Sequence, residues 1–478
     1  MPSLKRNFLY NSAYQILLIL APLITTPYVS RVLGPENIGI YVFNYNIASY
    51  FALFAMLGLK NYGIRSISKV RDDKRKLSRV FWELYVFQNV LAFSVSLIYI
   101  GYVFIFVHEF RIYALISTLY VLTSVIDISW FFFGMENFRI TVTRGMTIRI
   151  LTIVSIFLFV RSPNDLWKYI LILATGAFFS QAMLWLFIKN YVYFVRPQLH
   201  DIVQHIKPNL YLFLPVIAVS IYKQISKLML GLMTNMEQVA FYENSERIMY
   251  IPYSLITALG TIMLPRMSYL RAKGEQEKSS KYTEYSLTFA MMLSCAMAFG
   301  IMGIAPTFVP VFLGPQFMAC ITLTIAIVPT VIILAWSNVL RTQVLIPSGR
   351  DNIYITMTFI GAIVNVLVNL LLIHRYEAMG TVVGTVLAEF AVALYMTINL
   401  RKELGVGRNL ARNSGFIVAG GIMFAVVRLV STVFPNALIS LFFQMVVGAA
   451  IYIVISIVYV YFANRAFFNV LRVVLKKK

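Results

Sequence analysis

Two lysines stand one helical turn apart inside an apolar stretch of the sequence. Lys223 and Lys227 lie within residues 208–233, and Lys223 is about 15 residues, or roughly 22 Å of helix, from the start of that stretch. Residues four apart share one face of an α-helix, so both ammonium groups can contact a single anion such as a diphosphate. Long basic side chains can also extend to the membrane interface, and the sequence leaves that alternative open.

Other charged side chains also fall inside apolar stretches. Arg149 and Arg341 each lie about one turn from the predicted cytoplasmic end of a span. They are predicted either to bind substrate in a polar cavity or to extend to lipid head groups. Asp127 and Glu389 are predicted to bind a coupling ion or to act as a gate, with a paired or satisfied structural carboxylate as the alternative.

The sequence lacks the motifs that are typical of several other functions. Cys295 and Cys320 form no C-x-x-C pair, and four histidines without clustering offer no metal-ligand spacing, so we expect no metal site and no cofactor. A phosphate-binding G-x-x-x-x-G-K-[ST] loop is absent, which excludes ATP-driven transport by this chain. The basic stretch 60–79 is better explained by contact with anionic lipid than with nucleic acid. No outside loop is long enough for an extracytoplasmic active site, so we do not expect an enzyme.

The elements that carry these residues are predicted to be membrane-spanning helices. The chain has 478 residues, of which 60% are hydrophobic and 13% charged, whereas soluble domains are about 25% charged. This composition excludes a single water-soluble globule. A span needs about 20 apolar residues, and the apolar runs predict fourteen spans. They cover residues 9–31, 38–58, 80–106, 112–134, 146–161, 168–189, 208–233, 248–266, 284–311, 321–345, 353–374, 380–400, 414–434 and 438–463.

The distribution of basic residues predicts the orientation. Of the 41 Lys and Arg residues, 30 fall in one alternate set of loops and six in the other. Basic loops face the cytoplasm, so both termini are predicted to be cytoplasmic. Five basic and two acidic residues remain inside the spans, a positive surplus that favours an anionic cargo in a hydrated path.

Six segments of the sequence resemble Wzx-type polysaccharide flippases, which belong to the multidrug/oligosaccharidyl-lipid/polysaccharide exporter superfamily. The first reads TPYVSRVLGPENIGIYVFNYNIASYF and covers residues 26–51. The others are NYGIRSISKVRDD (61–73), DISWFFFGMENFRI (127–140), MEQVAFYENSERI (236–248), FLGPQF (312–317) and RTQVLIPSGRDNIY (341–354). Together these segments are distributed along most of the chain.

The resemblance implies an all-α polytopic fold like that of multidrug exporters and lipid II flippases. Two six-helix lobes would face a central cationic cavity, with two additional C-terminal helices. In this chain the N-lobe would cover residues 1–189, a cytoplasmic linker 190–207, the C-lobe 208–400, and the last two spans with a basic cytoplasmic tail 401–478.

The resemblance also implies a function. An undecaprenyl-diphosphate-linked oligosaccharide would cross the bacterial cytoplasmic membrane between the lobes by alternating access, for capsule, exopolysaccharide or O-antigen synthesis. Lys223, Lys227 and, at the outer rim, Arg31 would compensate the diphosphate charge. Polysaccharide-assembly enzymes are further candidate partners. The alternatives are a cation-coupled multidrug exporter of the same superfamily and a scaffold that transports nothing.

Overall fold

The computed structural model describes the backbone of residues 4–476. Side chains are described in that range except at residues 4–16, 18–19, 138, 215, 218, 221–223, 402, 404, 406, 470–471 and 473–476. Every regular element of the described backbone is helical, and no β-strand occurs there. The α-helices are α1 (Leu4–Met56), α2 (Leu59–Val70), α3 (Lys74–Phe106), α4 (Arg111–Ile126), α5 (Ser129–Gly134), α6 (Phe138–Phe159), α7 (Leu166–Ala182), α8 (Trp185–Ile188), α9 (Leu199–Val203), α10 (Ile206–Met233), α11 (Met236–Ala272), α12 (Gln276–Phe312), α13 (Ala319–Ile327), α14 (Thr330–Leu340), α15 (Asp351–Leu404), α16 (Val406–Val430), α17 (Ala437–Ala463) and α18 (Arg465–Lys476).

Two helices are long enough to cross a bilayer twice. α1 has 53 residues and α15 has 54, about 80 Å each, against a hydrocarbon core of about 30 Å. One residue with non-helical backbone angles divides each of them. It is Gly34 in α1 (φ 75°, ψ 174°) and Glu377 in α15 (φ 48°, ψ −127°). Gly34 adopts this positive φ without the steric cost of a Cβ atom.

Ten helical stretches within the described residues have the length and hydropathy needed to cross a membrane. Two of them, Leu20–Val70 and Asp351–Arg401, are 51 residues long and contain the two kinks, so each accounts for two predicted spans. The shorter apolar helix Arg111–Ile126 and the 28-residue α10 supply two more. This arrangement is consistent with fourteen spans, and that number stays a prediction.

Contacts divide the chain into two compact units. The first unit comprises Met1–Gly231 with Asn235–Ala240, and the second comprises Leu232–Thr234 with Phe241–Lys478. Nearly all of α10, including both candidate lysines, therefore groups with the first unit. The predicted lobe boundary at residue 208 stays a prediction.

Aromatic residues form a core of the first unit. Phe81 of α3 contacts Trp130 and Phe131 of α5, with ring centroids 5.7 and 5.2 Å apart, and Trp185 of α8 at 6.2 Å. A Cβ atom at Gly63 of α2 would lie 2.7 Å from the Trp130 ring. Glycine at this position therefore allows α2 to approach α5 closely.

In the second unit, α12 packs against α14, α16 and α17. Two glycines, Gly303 of α12 and Gly448 of α17, allow both helices to approach α16 closely. A Cβ atom at Gly303 or at Gly448 would lie 2.8 or 2.7 Å from the side chain of Val427. Small residues at such positions let apolar helices approach without a hydrophobic driving force between them.

The predicted fourth span, residues 112–134, is not a single helix. The chain breaks between α4 and α5 at Asp127, whose carboxylate accepts a hydrogen bond from the Ser129 N–H at 2.8 Å. The Gln88 side chain of α3 donates to the Asp127 carbonyl oxygen at 2.8 Å. Polar side chains thus satisfy backbone groups that the break exposes, which apolar periodicity alone does not predict.

Candidate functional site

Lys227 lies on the face of α10 that packs against the second half of α1. Gly231, one turn further along that face, has no room for a Cβ atom because the ring of Phe43 lies against it. Leu228 and Phe43 both pack on an apolar cluster of the first unit that consists of Ile47, Ala48, Tyr99, Val103, Ala114 and Val121. Lys227 itself is partly buried. The side chain of Lys223, the other lysine of the pair, lies outside the described residues.

A tyrosine hydroxyl lies near Lys227. Tyr50 is seven residues after Phe43, so both lie on one face of α1. The Tyr50 hydroxyl oxygen is buried and has no hydrogen-bond partner among the described residues. The ammonium group of Lys227 is close enough for its charge to act on this hydroxyl. One cation and one hydroxyl without a partner among the described residues therefore lie in the same part of the first unit.

Arg31 lies at the end of the first half of α1, three residues before the Gly34 kink. It is exposed, and its Nη1 donates to the carbonyl oxygen of Pro27 at 2.8 Å. Its predicted contact with substrate at the outer rim stays a prediction.

Two arginines of α6 lie in opposite environments. Arg149, which the sequence selected, is exposed. Arg144 is only 9% exposed, and its Nη1 donates to the Ser180 carbonyl oxygen at 2.7 Å and to the Gln181 side chain at 2.6 Å. Five residues rotate a helix by about 140°, so these two side chains face different sides of α6. Sequence reasoning missed Arg144 because it was assigned to a cytoplasmic loop.

Arg341 and Glu389 both belong to the second unit. Arg341 opens a π-helical turn, Arg341–Leu345, that follows α14, and Glu389 lies on α15. Both charges act on the hydroxyl of Tyr253, a residue of α11. The candidate substrate ligand Arg341 and the candidate coupling carboxylate Glu389 thus both lie near Tyr253. Substrate binding by Arg341 and ion coupling or gating by Glu389 stay predictions.

Glu246 is a buried carboxylate that the sequence did not single out. It is 7% exposed and accepts a hydrogen bond from the Tyr242 hydroxyl at 3.3 Å. Tyr242 also bonds the Thr385 hydroxyl at 2.8 Å. The charges of Glu246 and Glu389 both act on Tyr250. The available signal was the i, i+4 spacing of Tyr242 and Glu246, which places them on one helical face.

A polar cluster ties α9 and His205, the residue before α10, to α2 and α3, and we call it the Glu83 cluster. Arg79 donates to Glu83 at 2.9 Å and to Asp201 at 2.7 Å. The second Glu83 oxygen lies 3.1 Å from His205 Nε2, and His205 Nδ1 lies 2.8 Å from the Tyr62 hydroxyl. The sequence analysis treated Glu83 only as a helix start, because its partner His205 is 122 residues away along the chain.

The predicted linker, residues 190–207, is attached to the first unit at further points. The Trp82 indole donates to the Tyr193 carbonyl oxygen at 2.9 Å, and the Tyr193 N–H donates to the Ser78 hydroxyl at 3.2 Å. Asn137 donates to the Tyr191 hydroxyl at 2.6 Å. The segment therefore lies along the unit rather than extending from it.

Four tyrosines of the first unit form a continuous aromatic group. Tyr41 and Tyr45 of α1 lie 5.8 Å apart, Tyr41 contacts Tyr169 of α7 at 5.0 Å, and Tyr45 contacts Tyr120 of α4 at 5.0 Å. Tyr45 is 40% exposed. Such rings can pack on the C–H faces of sugars, because the ring face is electron-rich.

Comparisons with known proteins cover most of the chain. A family model described as "Polysaccharide biosynthesis protein" matches residues 4–271. The chain is 25% identical to a Shigella dysenteriae protein called "Putative O-antigen transporter", over 79% of this chain and 95% of the relative. It is 22% identical to an Escherichia coli K12 protein of the same description, over 84% of this chain and 97% of the relative.

The fold is similar to a solved structure of the lipid II flippase MurJ in an inward closed conformation. The TM-score is 0.77 at 13% identity, over 95% of this chain and 99% of that one. The expected fold class, an all-α polytopic membrane protein like the lipid II flippase, is therefore confirmed.

Proposed function

Because the chain belongs to the polysaccharide biosynthesis protein family, we propose that it translocates undecaprenyl-diphosphate-linked oligosaccharide repeat units. The resemblance to Wzx-type flippases found in the sequence is confirmed at the level of this family. The proposed direction is from the cytoplasmic to the outer face of a bacterial cytoplasmic membrane, with both termini inside. Capsule, exopolysaccharide or O-antigen is the proposed end product.

The observation that carries this proposal is the position of Lys227. It lies six residues, about 9 Å of helix, before the end of α10 and faces the second half of α1. A cation at this depth is stabilised by an anionic ligand or water, and a diphosphate supplies two or more negative charges. Lys223, one turn earlier, is the proposed second ligand, and Arg31, Arg149 and Arg341 are proposed auxiliary contacts.

The sugars of the passenger are proposed to contact the four-tyrosine group. Exposed Tyr45 offers a ring face, and its neighbours Tyr41 and Tyr120 hold that ring in place. Binding by stacking is modest and tolerates different sugars, which suits a carrier that must release its cargo.

Alternating access is the proposed transport cycle. Pro22 and Pro27 lie within α1, and Pro252 lies within α11. Each removes a backbone hydrogen bond and weakens the helix locally. Asp127 and Glu389 are the proposed gate or ion-coupling groups in this cycle.

A complementation experiment tests the function. In a strain deleted for this gene, we expect the missing surface polysaccharide to return with the wild-type gene and not with Lys227→Ala. The lipid-linked oligosaccharide should accumulate in the deleted strain, where mass spectrometry identifies it. Lys60→Ala is the matched control, since Lys60 is an exposed lysine of α2 to which the proposal assigns no contact with substrate.

Normal polysaccharide in the Lys227→Ala strain, at wild-type protein levels, would contradict the proposal. The multidrug-exporter alternative makes the opposite set of expectations. It predicts drug resistance on overexpression and no change in polysaccharide. Loss of polysaccharide without drug resistance therefore separates the two functions.

A further inference from the structure

The second half of α1 and α10 run antiparallel. Phe43 of α1 lies against Gly231 of α10, whereas Gly58, just after α1, lies against Asn209 near the beginning of α10. Residue numbers therefore rise along α1 as they fall along α10. This register brings the region of α1 around Tyr50 beside the part of α10 that precedes Gly231.

Side-chain direction in helices makes Tyr50 and Lys227 converge. A helical side chain leans toward the N-terminus of its own helix. The Lys227 side chain therefore leans away from Gly231, toward the beginning of α10. The Tyr50 side chain leans along α1 toward Phe43. Because the two helices are antiparallel, these directions point toward each other. The action of the Lys227 charge on the Tyr50 hydroxyl agrees with this geometry.

The Tyr50 hydroxyl is costly where it stands. It is buried among the described residues without a hydrogen-bond partner, and an unsatisfied buried hydroxyl destabilises a fold. Phe43 and Phe51, which lie on α1 as Tyr50 does, pack on the apolar cluster through side chains that have no polar group. A phenylalanine would fill the position of Tyr50 without that cost. An anion bound at another stage of the cycle would supply a partner for this buried donor beside the cation.

We propose that Tyr50 and Lys227 form one anion subsite on the first unit, in which the hydroxyl donates a hydrogen bond to the diphosphate that the ammonium neutralises. The ligand identity, a polyprenyl diphosphate, rests on the proposed function. The subsite combines a point charge with one directional donor, and a hydrogen bond to a charged group is stronger than one to a neutral group. Tyr50 is thus a binding residue for the diphosphate, contributed by α1 rather than by α10.

Direct binding measurements on the purified full chain test this subsite. Farnesyl diphosphate, farnesyl monophosphate and inorganic pyrophosphate serve as probes. We expect Tyr50→Phe to weaken farnesyl diphosphate binding about tenfold, the usual effect of one hydrogen bond to a charged group. We expect Lys227→Gln to weaken it at least as much and Lys227→Arg to retain most of the affinity. Tyr102→Phe is the control, because it removes a hydroxyl from the apolar cluster on which Phe43 and Leu228 also pack.

Thermal unfolding without ligand distinguishes binding from a structural role. Tyr50→Phe should leave the unfolding midpoint unchanged or raise it, since it removes an unsatisfied hydroxyl. Unchanged diphosphate affinity in Tyr50→Phe would overturn the proposal. A lowered midpoint would also overturn it, because the hydroxyl would then have a partner within the fold.

The probes separate the possible sources of the anion. Weaker binding of both farnesyl diphosphate and pyrophosphate supports a diphosphate subsite, whereas an effect on pyrophosphate alone would assign the subsite to a free anion and overturn the lipid assignment. The outcome is also independent of the flippase test. If Lys227→Ala cells make normal polysaccharide while Tyr50→Phe still weakens diphosphate binding, the proposed function fails and the subsite stands.

Discussion

Replacing Glu83 by alanine is expected to destabilise the first unit by about 3 kcal/mol. The Glu83 side chain is 4% exposed and pairs with Arg79 and His205. Removing one partner from a buried charged pair costs about 3–5 kcal/mol. The lower end applies because Arg79 is 57% exposed and water screens its charge. For a unit of this size, the unfolding midpoint should fall by about 6–12 °C.

A control on the same helix isolates the effect of burial. Lys76 forms an ion pair with Asp73 at 3.6 Å, but its side chain is 73% exposed. Such surface pairs contribute little, so Lys76→Ala should change stability by less than about 0.5 kcal/mol. The double variant Glu83→Ala/His205→Ala should cost less than the two single changes together, because both remove the same contact.

Intrinsic tryptophan fluorescence reports the unfolding of the first unit. Four of the five tryptophans belong to it, and three of them, Trp82, Trp130 and Trp185, pack around one aromatic ring of α3. The two cysteines are buried in the second unit, so a thiol-reactive dye reports that unit separately. A fluorescence midpoint for Glu83→Ala within about 2 °C of wild type, matching Lys76→Ala, would refute the reasoning.

Two further predictions concern individual charges. Arg144→Ala should destabilise the first unit by about 2 kcal/mol, since it removes the hydrogen bonds of a buried guanidinium. Arg149→Ala should change the stability of this unit by less than about 0.5 kcal/mol. Equal unfolding midpoints for the two variants would contradict the assignment of these arginines to different faces of α6. Asp73 begins α3, and hydrogen bonds from the backbone N–H groups of Lys76 and Arg75 lower the pKa of its carboxyl group. A carboxyl group with a lowered folded-state pKa stabilises the fold at pH values above its unfolded-state pKa of about 3.9. This stabilisation is lost as the pH falls toward the folded-state pKa. The unfolding midpoint of wild type should therefore fall more steeply than that of Asp73→Asn between pH 6 and 3, and parallel curves would count against this role.

Hydropathy predicts helices well where their ends carry clear polar boundaries. The span predicted at residues 208–233 corresponds to α10, Ile206–Met233. The span predicted at 248–266 belongs to the much longer α11, Met236–Ala272. Charged residues in the first turns of α11 resemble a loop in a hydropathy profile. Ion pairs along one face, such as that of Glu243 with Arg247 at 2.9 Å, stabilise the helix there.

The environment of a charged residue is harder to predict than its depth. Arg149 of α6 became a candidate because of its sequence position inside a predicted span, yet the buried arginine is Arg144. Which face of a helix is buried depends on its tertiary partners. Lys227 was identifiable from its spacing to Lys223 within an apolar stretch. Tyr50 was not, since a tyrosine in an apolar helix is compatible with core packing, and its relation to Lys227 arises only when α1 meets α10.

The attachment of residues 190–207 bears on how the protein can be divided. Hydrogen bonds hold Tyr193 to α3, and Asp201 is held to Arg79 of the same helix. A cut in the backbone between these two anchors would leave both new ends bound to one surface. Fragments 1–196 and 197–478 should consequently remain associated when produced as separate polypeptides, and a reporter inserted at this position would sit close against the protein body instead of on a free tether.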